Sequence, residues 1–440
     1  MIFGPPFINN HQLERKVIMK FRYIWTGLFL GWSLGFASIS GAQTKPTTLS
    51  DYLDAALKVN PLIGSAAQAS ESAKYNSEAI RKGYYPQIGV GTHLIVAPGY
   101  DPAITNGGEF GAQITGAYTI YDGGAKTLEV RKGGIGVEQG TVNQSRIRAD
   151  IIYSVSMAYV AAVKEERELG VVEQEYRSLR DYLRLVNQLH ASGQGSETDV
   201  LRTRVDLNNA EIDINSRKVS YSNSLIALAQ AAGLPTSDVT EVDTVMPAIS
   251  YDTTFDAAGN VDLASQHLLL KQAELDARIA GSKLRPTVLV GADAGALTSL
   301  PNLQQGLANV FGASVGVSVS VPVFSFGSLH DSYSAAEATA KSIALQNDYS
   351  RITLEREFES TMNDIGRADA QIAALRKNLV VAEDNMMLSK AQYAGGTGIS
   401  LDVLNAIQMV NQIRLSLEEA RASKALSILK LNRINYSGAY

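Results

Sequence analysis

Two stretches of the chain alternate apolar and polar residues with a period of two, as β-strands with two different faces do. In the clearer stretch, glycine and serine separate four valines: Val315, Val317, Val319 and Val321. With turn-rich loops and a second alternating segment, the pattern predicts β-hairpins over about residues 86–121 and 286–324. One face of each strand is expected to be apolar and the other small and polar.

Long helices are predicted after both hairpins, because the sequence holds no proline from about 125 to 190 or from about 328 to 393. At about 1.5 Å per residue, each would run about 100 Å. A glycine-bearing turn ends each one, and further helices return over about 199–232 and 402–435. Two shorter helices, separated at Asn60-Pro61, precede the first hairpin.

The sequence repeats itself at an offset of 203 residues. The turn segments 191–201 and 394–404 share six of eleven positions. An apolar stripe with steps of four, three and four precedes each turn. It comprises Val172, Tyr176, Leu179 and Leu183 in one copy, and Leu375, Leu379, Ala382 and Met386 in the other. A period this long indicates an internal two-fold duplication rather than a solenoid.

The repeat divides the chain into a first copy over 43–235, a linker over 236–260 and a second copy over 261–440. The fold class is mainly α with β. Because the apolar stripes are narrow, the helices suit a hollow or supercoiled assembly better than a solid core.

Four strands from two hairpins leave two unpaired edges, which a bilayer does not tolerate. Three chains with four strands each would close a twelve-stranded barrel, and the alternation suits lipid-facing and lumen-facing sides. A hairpin lying on its own helices in a soluble protein is the alternative, since such a hairpin can also alternate.

Residues 1–42 are predicted to be an upstream extension and a signal peptide. Lys20 and Arg22 precede an apolar run over 23–39, and Ser40-Gly41-Ala42 supplies the small residues of a cleavage site. A membrane-anchoring helix is the alternative, although the run is short for one, and no later stretch approaches about 18 consecutive apolar residues.

Charge and residue content exclude several classes of function. The chain has no cysteine, and its formal charge falls from −5 to −8 once residues 1–42 are removed, which argues against a nucleic-acid partner. The five histidines show no ligand spacing, and the Gly-x-Gly pairs lack a phosphate cradle. We therefore predict no catalysis, no metal site and no cofactor.

Five short motifs together resemble the TolC-like outer-membrane efflux family over nearly all of the chain after residue 42. They are Ala56–Pro61, Tyr84-Tyr85-Pro86-Gln87, Tyr121-Asp122-Gly123-Gly124, Val321-Pro322-Val323-Phe324 and the paired Gly-x5-Asp-Val-Leu turns. The resemblance implies a homotrimer with a twelve-stranded β-barrel in outer-membrane lipid and a long α-helical barrel in the periplasm. It implies a passive exit duct for tripartite efflux or type I secretion, docked to a periplasmic adaptor and an inner-membrane transporter. A periplasmic coiled-coil adaptor or scaffold without a barrel is the alternative.

The resemblance also implies that an adaptor docks on the two helical turns. The matching residues are Gly193, Gly195, Ser196, Gly396, Gly398 and Leu401. A simple helix reversal is the alternative, because a tight reversal needs the same glycines.

A gate at the same tip is a further implication. In the family, carboxylates ring the constriction and a hydrogen-bond network between helices holds it shut. Asp402 occupies the ring position, and Asp199 and Tyr393 match the aspartate and tyrosine of the network. The sequence departs from the family at Gly398, where some members carry an arginine, and at Asn405, where a second carboxylate is possible. These departures predict a less tightly latched entrance. Helix N-capping by Asp199 and Asp402 is the alternative role.

Overall fold

The computed structural model describes residues 47–101, 107–300 and 310–436, so the predicted signal peptide lies outside the described residues. The same order of helices and strands occurs twice, except that the first series opens with an additional short helix. The first series is α1 (Leu49–Val59), α2 (Pro61–Gly83), β1 (Gln87–Val96), β2 (Gly108–Tyr121), α3 (Ala125–Ala191) and α4 (Glu197–Ala232). After a linker with one 3₁₀ turn (Thr236–Asp238), the second is α5 (Val261–Ser282), β3 (Thr287–Ser299), β4 (Phe311–Ser320), α6 (Ser328–Ala394) and α7 (Ser400–Ile434).

Two buried asparagines, 200 residues apart, start the short helices and tie them to the ends of the returning ones. The Oδ1 atom of Asn60 accepts from the Leu62 amide at 3.0 Å, while its Nδ2 donates to a carbonyl at the end of α4 at 3.2 Å. Asn260 caps α5 through the Leu263 amide at 2.8 Å, and its Nδ2 reaches the Ile434 carbonyl of α7 at 2.5 Å. Each cap therefore also fixes how two helices meet.

The long helices α3 and α6 have 67 residues each, which corresponds to about 100 Å. Near the sheet, α3 packs against α2 and α6 against α5; farther away, α3 packs against α4 and α6 against α7. Contacts of α3 with α7 and α5 join the halves, so the far helices lie in the order α4–α3–α7–α6 along most of their length, while α4 also contacts α7. In the part of the chain that the structure describes, no helix combines the length and apolar character that crossing a bilayer requires.

The predicted apolar stripes face these helix contacts. Val172 and Leu179 are buried on α3, as is Ala382 on α6. The remaining stripe positions are partly buried against small clusters of apolar residues. These clusters are spaced along the helices and do not form one continuous core. A long, thin bundle of this kind has no single globular centre.

The four strands form one antiparallel sheet in the order β1-β2-β3-β4. Pairing of β2 with β3 joins the two hairpins, with one irregularity between Thr119 and Tyr121. The second hairpin was expected to reach about residue 324, but β4 ends at Ser320. The position opposite Val321 would be Pro286, which has no N–H to donate to the ladder.

Candidate functional site

The two helical turns lie at the far ends of α3 and α6, about 100 Å from the sheet. In the first turn, the amides of Gln194 and Gly195 both donate to the Leu189 carbonyl, at 2.8 and 3.1 Å. In the second, Thr397 and Gly398 donate to the carbonyl of Gln392 at 2.9 and 3.0 Å. Every donor and acceptor of one turn lies 203 residues from its counterpart, so the two backbones close in the same way.

Four glycines are required by this geometry. Gly193 and Gly396 adopt left-handed backbone angles, with φ of +78° and +74°. At Gly195 an added Cβ would stand 2.9 Å from the His190 amide nitrogen, and at Gly398 it would stand 3.0 Å from the Cβ of Gln392. The reversal alone accounts for the glycines, and their role in docking stays a prediction.

The returning helices begin two residues earlier than expected. Ser196 caps α4, where its hydroxyl accepts from the Thr198 amide at 3.1 Å, whereas Ile399 stands at the cap of α7 and offers no side-chain acceptor. Asp199 and Asp402 lie in the first helical turn instead, so the N-cap role considered for them is wrong. Their carboxylates still lie near the positive end of the helix dipole.

The structure brings the predicted pair Asp199 and Tyr393 together. The Tyr393 hydroxyl donates to Asp199 Oδ2 at 3.2 Å and so connects the end of α6 to the start of α4. Burial and the Asp199 carboxylate raise the pKa of Tyr393, which keeps its hydroxyl a neutral donor. This contact joins a helix of the second series to a helix of the first.

Two residues that sequence reasoning missed complete the cluster. The ring of Tyr182 lies edge-on to that of Tyr393, with centroids 5.5 Å apart. Its hydroxyl donates to Ser400 Oγ at 2.9 Å, and burial raises the pKa of Tyr182. At the offset of 203, Tyr182 corresponds to Asn385, and Ser400 corresponds to a glutamate. These two differences between the repeated segments were the one sequence signal that could have drawn attention to Tyr182 and Ser400.

Asp402 and Asn405 are not part of this cluster. Both are exposed on α7, one turn apart on the same face. Leu401, the predicted docking residue beside them, is 42% exposed. Within one chain, the tip therefore combines a buried tyrosine cluster with an exposed polar and apolar edge.

The chain thus has long paired helices that end in two tight turns, and a four-stranded sheet at their opposite end. The family model described as outer membrane efflux protein matches residues 52–234 and 257–434. The chain belongs to this family. Its place is the outer membrane, with the helical part in the periplasm, which confirms the resemblance drawn from the five motifs. The match favours a channel over a periplasmic adaptor or scaffold.

Relatives and solved structures agree with this assignment. The chain is 26% identical over 305 residues to the alkaline protease secretion protein AprF of Pseudomonas aeruginosa, covering 65% of this chain and 62% of that protein. It is 21% identical to the outer membrane protein TolC of Salmonella enteritidis over 92% of this chain and 84% of that protein. The fold is similar to that of VceC from Vibrio cholerae, with a TM-score of 0.77 at 17% identity, covering 89% and 96% of the two chains. The outer-membrane channel OprN gives a TM-score of 0.78, also at 17% identity, covering 89% of this chain and 90% of that one.

Proposed function

We propose that the chain is a passive exit duct for tripartite efflux or type I secretion, assembled as a homotrimer with a twelve-stranded barrel. A periplasmic adaptor would dock on its tip and connect it to an inner-membrane transporter, which supplies the energy. The observation that carries the proposal is a sheet whose two edge strands and apolar face meet no partner among the described residues of the chain.

The sheet edges support closure between subunits. Both β1 and β4 are exposed along their entire length, and each offers one unpaired row of backbone groups. In a bilayer, each such unpaired group costs several kcal/mol. The apolar side chains of one face are bare as well: Ile88, Val90, Leu94, Val315, Val317 and Val319 are 60–78% exposed. Pairing of β1 with β4 of the next copy would remove the edges, and lipid would cover the face.

The helices support the same assembly. In the order α4–α3–α7–α6, the outermost helices are α4 and α6, and each has exposed apolar residues on its free side. On α4 they recur every seven residues at Val205, Ile212, Val219 and Ile226, which is the spacing of a coiled-coil seam. A neighbouring subunit that paired β4 with β1 would also bring α6 against α4. We interpret the repeated element order as an internal duplication that makes the wall of the trimer pseudo-six-fold.

Cysteine crosslinking tests the trimer, because the chain has no cysteine of its own. Gly91→Cys in β1 and Gly312→Cys in β4 lie on the small, polar face, and neither added Cβ meets another atom within 4 Å. In outer membranes, a short bis-maleimide should convert the double variant into covalent trimers. Each single variant is the control and should remain monomeric on a denaturing gel. The closed barrel would be contradicted if the double variant, treated with the crosslinker and extracted without heating, also ran as a monomer.

The tip turns support adaptor docking. Gly193 and Gly396 bring helix ends close together, while Leu201 and Leu401 are 52% and 42% exposed beside them. Exposed apolar residues next to a tight helical turn suit a helical hairpin from a partner. A photo-crosslinking residue at Ser196 or Leu401 should therefore trap an adaptor in cells. The same residue at Tyr100, in the loop at the opposite end of the molecule, is the control.

The Tyr393–Asp199 bond supports a tip that is latched at rest. Three copies would place three such bonds around the axis, and three Asp402 carboxylates would line the entrance as a ring. Gly398 and Asn405 add no charged partner to this arrangement, so few contacts hold it shut. The test is single-channel recording: removal of the Tyr393 hydroxyl should raise the conductance of the trimer, and an unchanged conductance would overturn the latch.

A further inference from the structure

The strand register sorts the sheet into two faces with different charge. One carries most of the large apolar residues, and the opposite face carries mostly glycine, serine and threonine, together with Ile95, Leu289 and Leu297. All charged side chains of the described strands lie on this second face: His93, Glu109 and Asp293. None of the four described strands contains lysine or arginine. A barrel closed as proposed above would therefore have a lumen whose fixed charges come only from carboxylates and histidine.

Asp293 differs from Glu109 in its surroundings. Glu109 Oε1 lies 3.3 Å from His93 Nε2, so an imidazole ring stands beside this carboxylate. Asp293 instead accepts a hydrogen bond of 2.6 Å from the Ser314 hydroxyl of β4 and one of 3.2 Å from Gln113 Nε2 of β2. Both donors are neutral, so they fix the position of the carboxylate without cancelling its charge.

The residues around Asp293 on this face are small, so they do not shield its carboxylate from the proposed lumen. Gly291 and Gly295 flank it on β3, and Gly316 lies diagonally across on β4. No side chain at these positions covers the carboxylate. Three copies would lie at one level of the barrel, where low-dielectric walls focus their field on the passage.

We propose that Asp293 is a charge-selecting residue of the duct: its three carboxylates make the barrel favour cationic solutes over anionic ones. This inference rests on the proposed function, because only a closed trimer places the three groups around one lumen. It concerns the membrane end of the duct, about 100 Å from the tip, and is independent of any gate there.

A thiol beside Asp293 can report the local potential even when the tip is closed. Gly316→Cys adds a single thiol to a chain without cysteine, at a position where an added Cβ meets nothing within 4 Å. Cationic and anionic methanethiosulfonate reagents are added outside intact cells, and their reaction rates are compared with and without Asp293→Asn. Asparagine keeps the size of the side chain and can still accept from Ser314, so the sheet should fold.

The cationic reagent should react faster than the anionic one at Cys-substituted Gly316, and Asp293→Asn should lower the rate ratio about fivefold at 0.1 M salt. Ser320→Cys is the matched control on the same strand and face. It lies six residues from Ser314, about 20 Å away. The Debye length is about 10 Å, so Asp293→Asn should leave its ratio unchanged. Raising the salt to 1 M should shrink the difference at Gly316.

A third position separates this inference from the proposed function. Val317→Cys lies on the apolar face and should be protected by lipid, so water-soluble reagents should label it far more slowly than Gly316→Cys. If Val317→Cys is protected but Asp293→Asn leaves the ratio at Gly316 unchanged, charge selection by Asp293 is wrong and the barrel stands. If both positions react equally fast, the closed barrel is wrong, and the inference fails with it.

Discussion

Glu175 should make the helical part of the duct less stable as the pH rises. It is half-buried on α3, accepts a hydrogen bond from Asn411 of α7, and faces Asp206 and Asp213 of α4. Burial, together with the two aspartates, raises its pKa from 4.5 to about 7. Burial also raises the pKa of Asp206, against the opposing effect of Arg202. Several carboxylates thus compete for protons where α3, α4 and α7 meet.

The sign follows from proton linkage. The folded chain holds the Glu175 proton more tightly than the unfolded chain does, so the stabilising effect is complete below about pH 4.5 and is lost as the pH rises through about 7. In a fully buried site, a shift of this size would correspond to about 3 kcal/mol. Because the side chain is partly exposed, solvent screening reduces the expected loss to about 1–2 kcal/mol per chain.

Glu175→Gln removes the charge and keeps an oxygen that can accept from Asn411. The variant should therefore match the wild type at pH 5 and exceed it by about 1–2 kcal/mol per chain at pH 8.5. Denaturant unfolding of the purified protein in detergent, followed by circular dichroism at both pH values, measures this difference. Glu211→Gln, which neutralises an exposed carboxylate on α4, is the control and should show no such gain. A Glu175→Gln variant with the same pH dependence as the wild type would refute the reasoning.

Three further changes test the tip. Tyr393→Phe removes the hydrogen bond to Asp199 and should cost about 1–2 kcal/mol; a double-mutant cycle with Asp199→Ala in thermal unfolding should show that the two losses are not additive. Gly193→Ala places a side chain at φ +78° and should lower the free energy of unfolding by about 1 kcal/mol. Gly170→Ala, in open space on α3, is the control and should raise it by up to about 1 kcal/mol. Denaturant titration measures both changes. Ser196→Ala removes the cap of α4, and we expect a loss of about 1 kcal/mol and faster amide exchange in its first turn.

Local signals were enough to predict the elements of the fold. Period-two alternation located the strands, and the absence of proline located the two long helices. The pairing of β2 with β3 brings together segments about 180 residues apart, such as Ile114 and Ala294. No local pattern specifies such a pairing, because either hairpin could alternate just as well on its own. The end of β4 at Ser320 also depends on its partner, since Pro286 ends the ladder from the neighbouring strand.

The candidate site was predictable only in part. Asp199 and Tyr393 were singled out through the family resemblance, and the structure brings them to hydrogen-bonding distance. Tyr182 and Ser400 were missed because their roles depend on the packing of α3 against α7, which joins residues 218 positions apart. The N-cap expectation for Asp199 was wrong because Ser196 already provides a side-chain acceptor one turn earlier.

His190 and Tyr393 occupy equivalent positions before the two turns but make different contacts, which bears on the symmetry of the proposed latch. His190 and Tyr393 are related by the offset of 203, yet His190 Nδ1 contacts the Gly195 carbonyl of its own turn at 3.2 Å. Tyr393 instead reaches across to Asp199 on a helix of the other copy. The two turns share their backbone hydrogen bonds, so the wall they end can be pseudo-six-fold. Of these two equivalent positions, only Tyr393 makes a side-chain hydrogen bond to the other half of the chain, so a latch built from it in the proposed trimer would be three-fold.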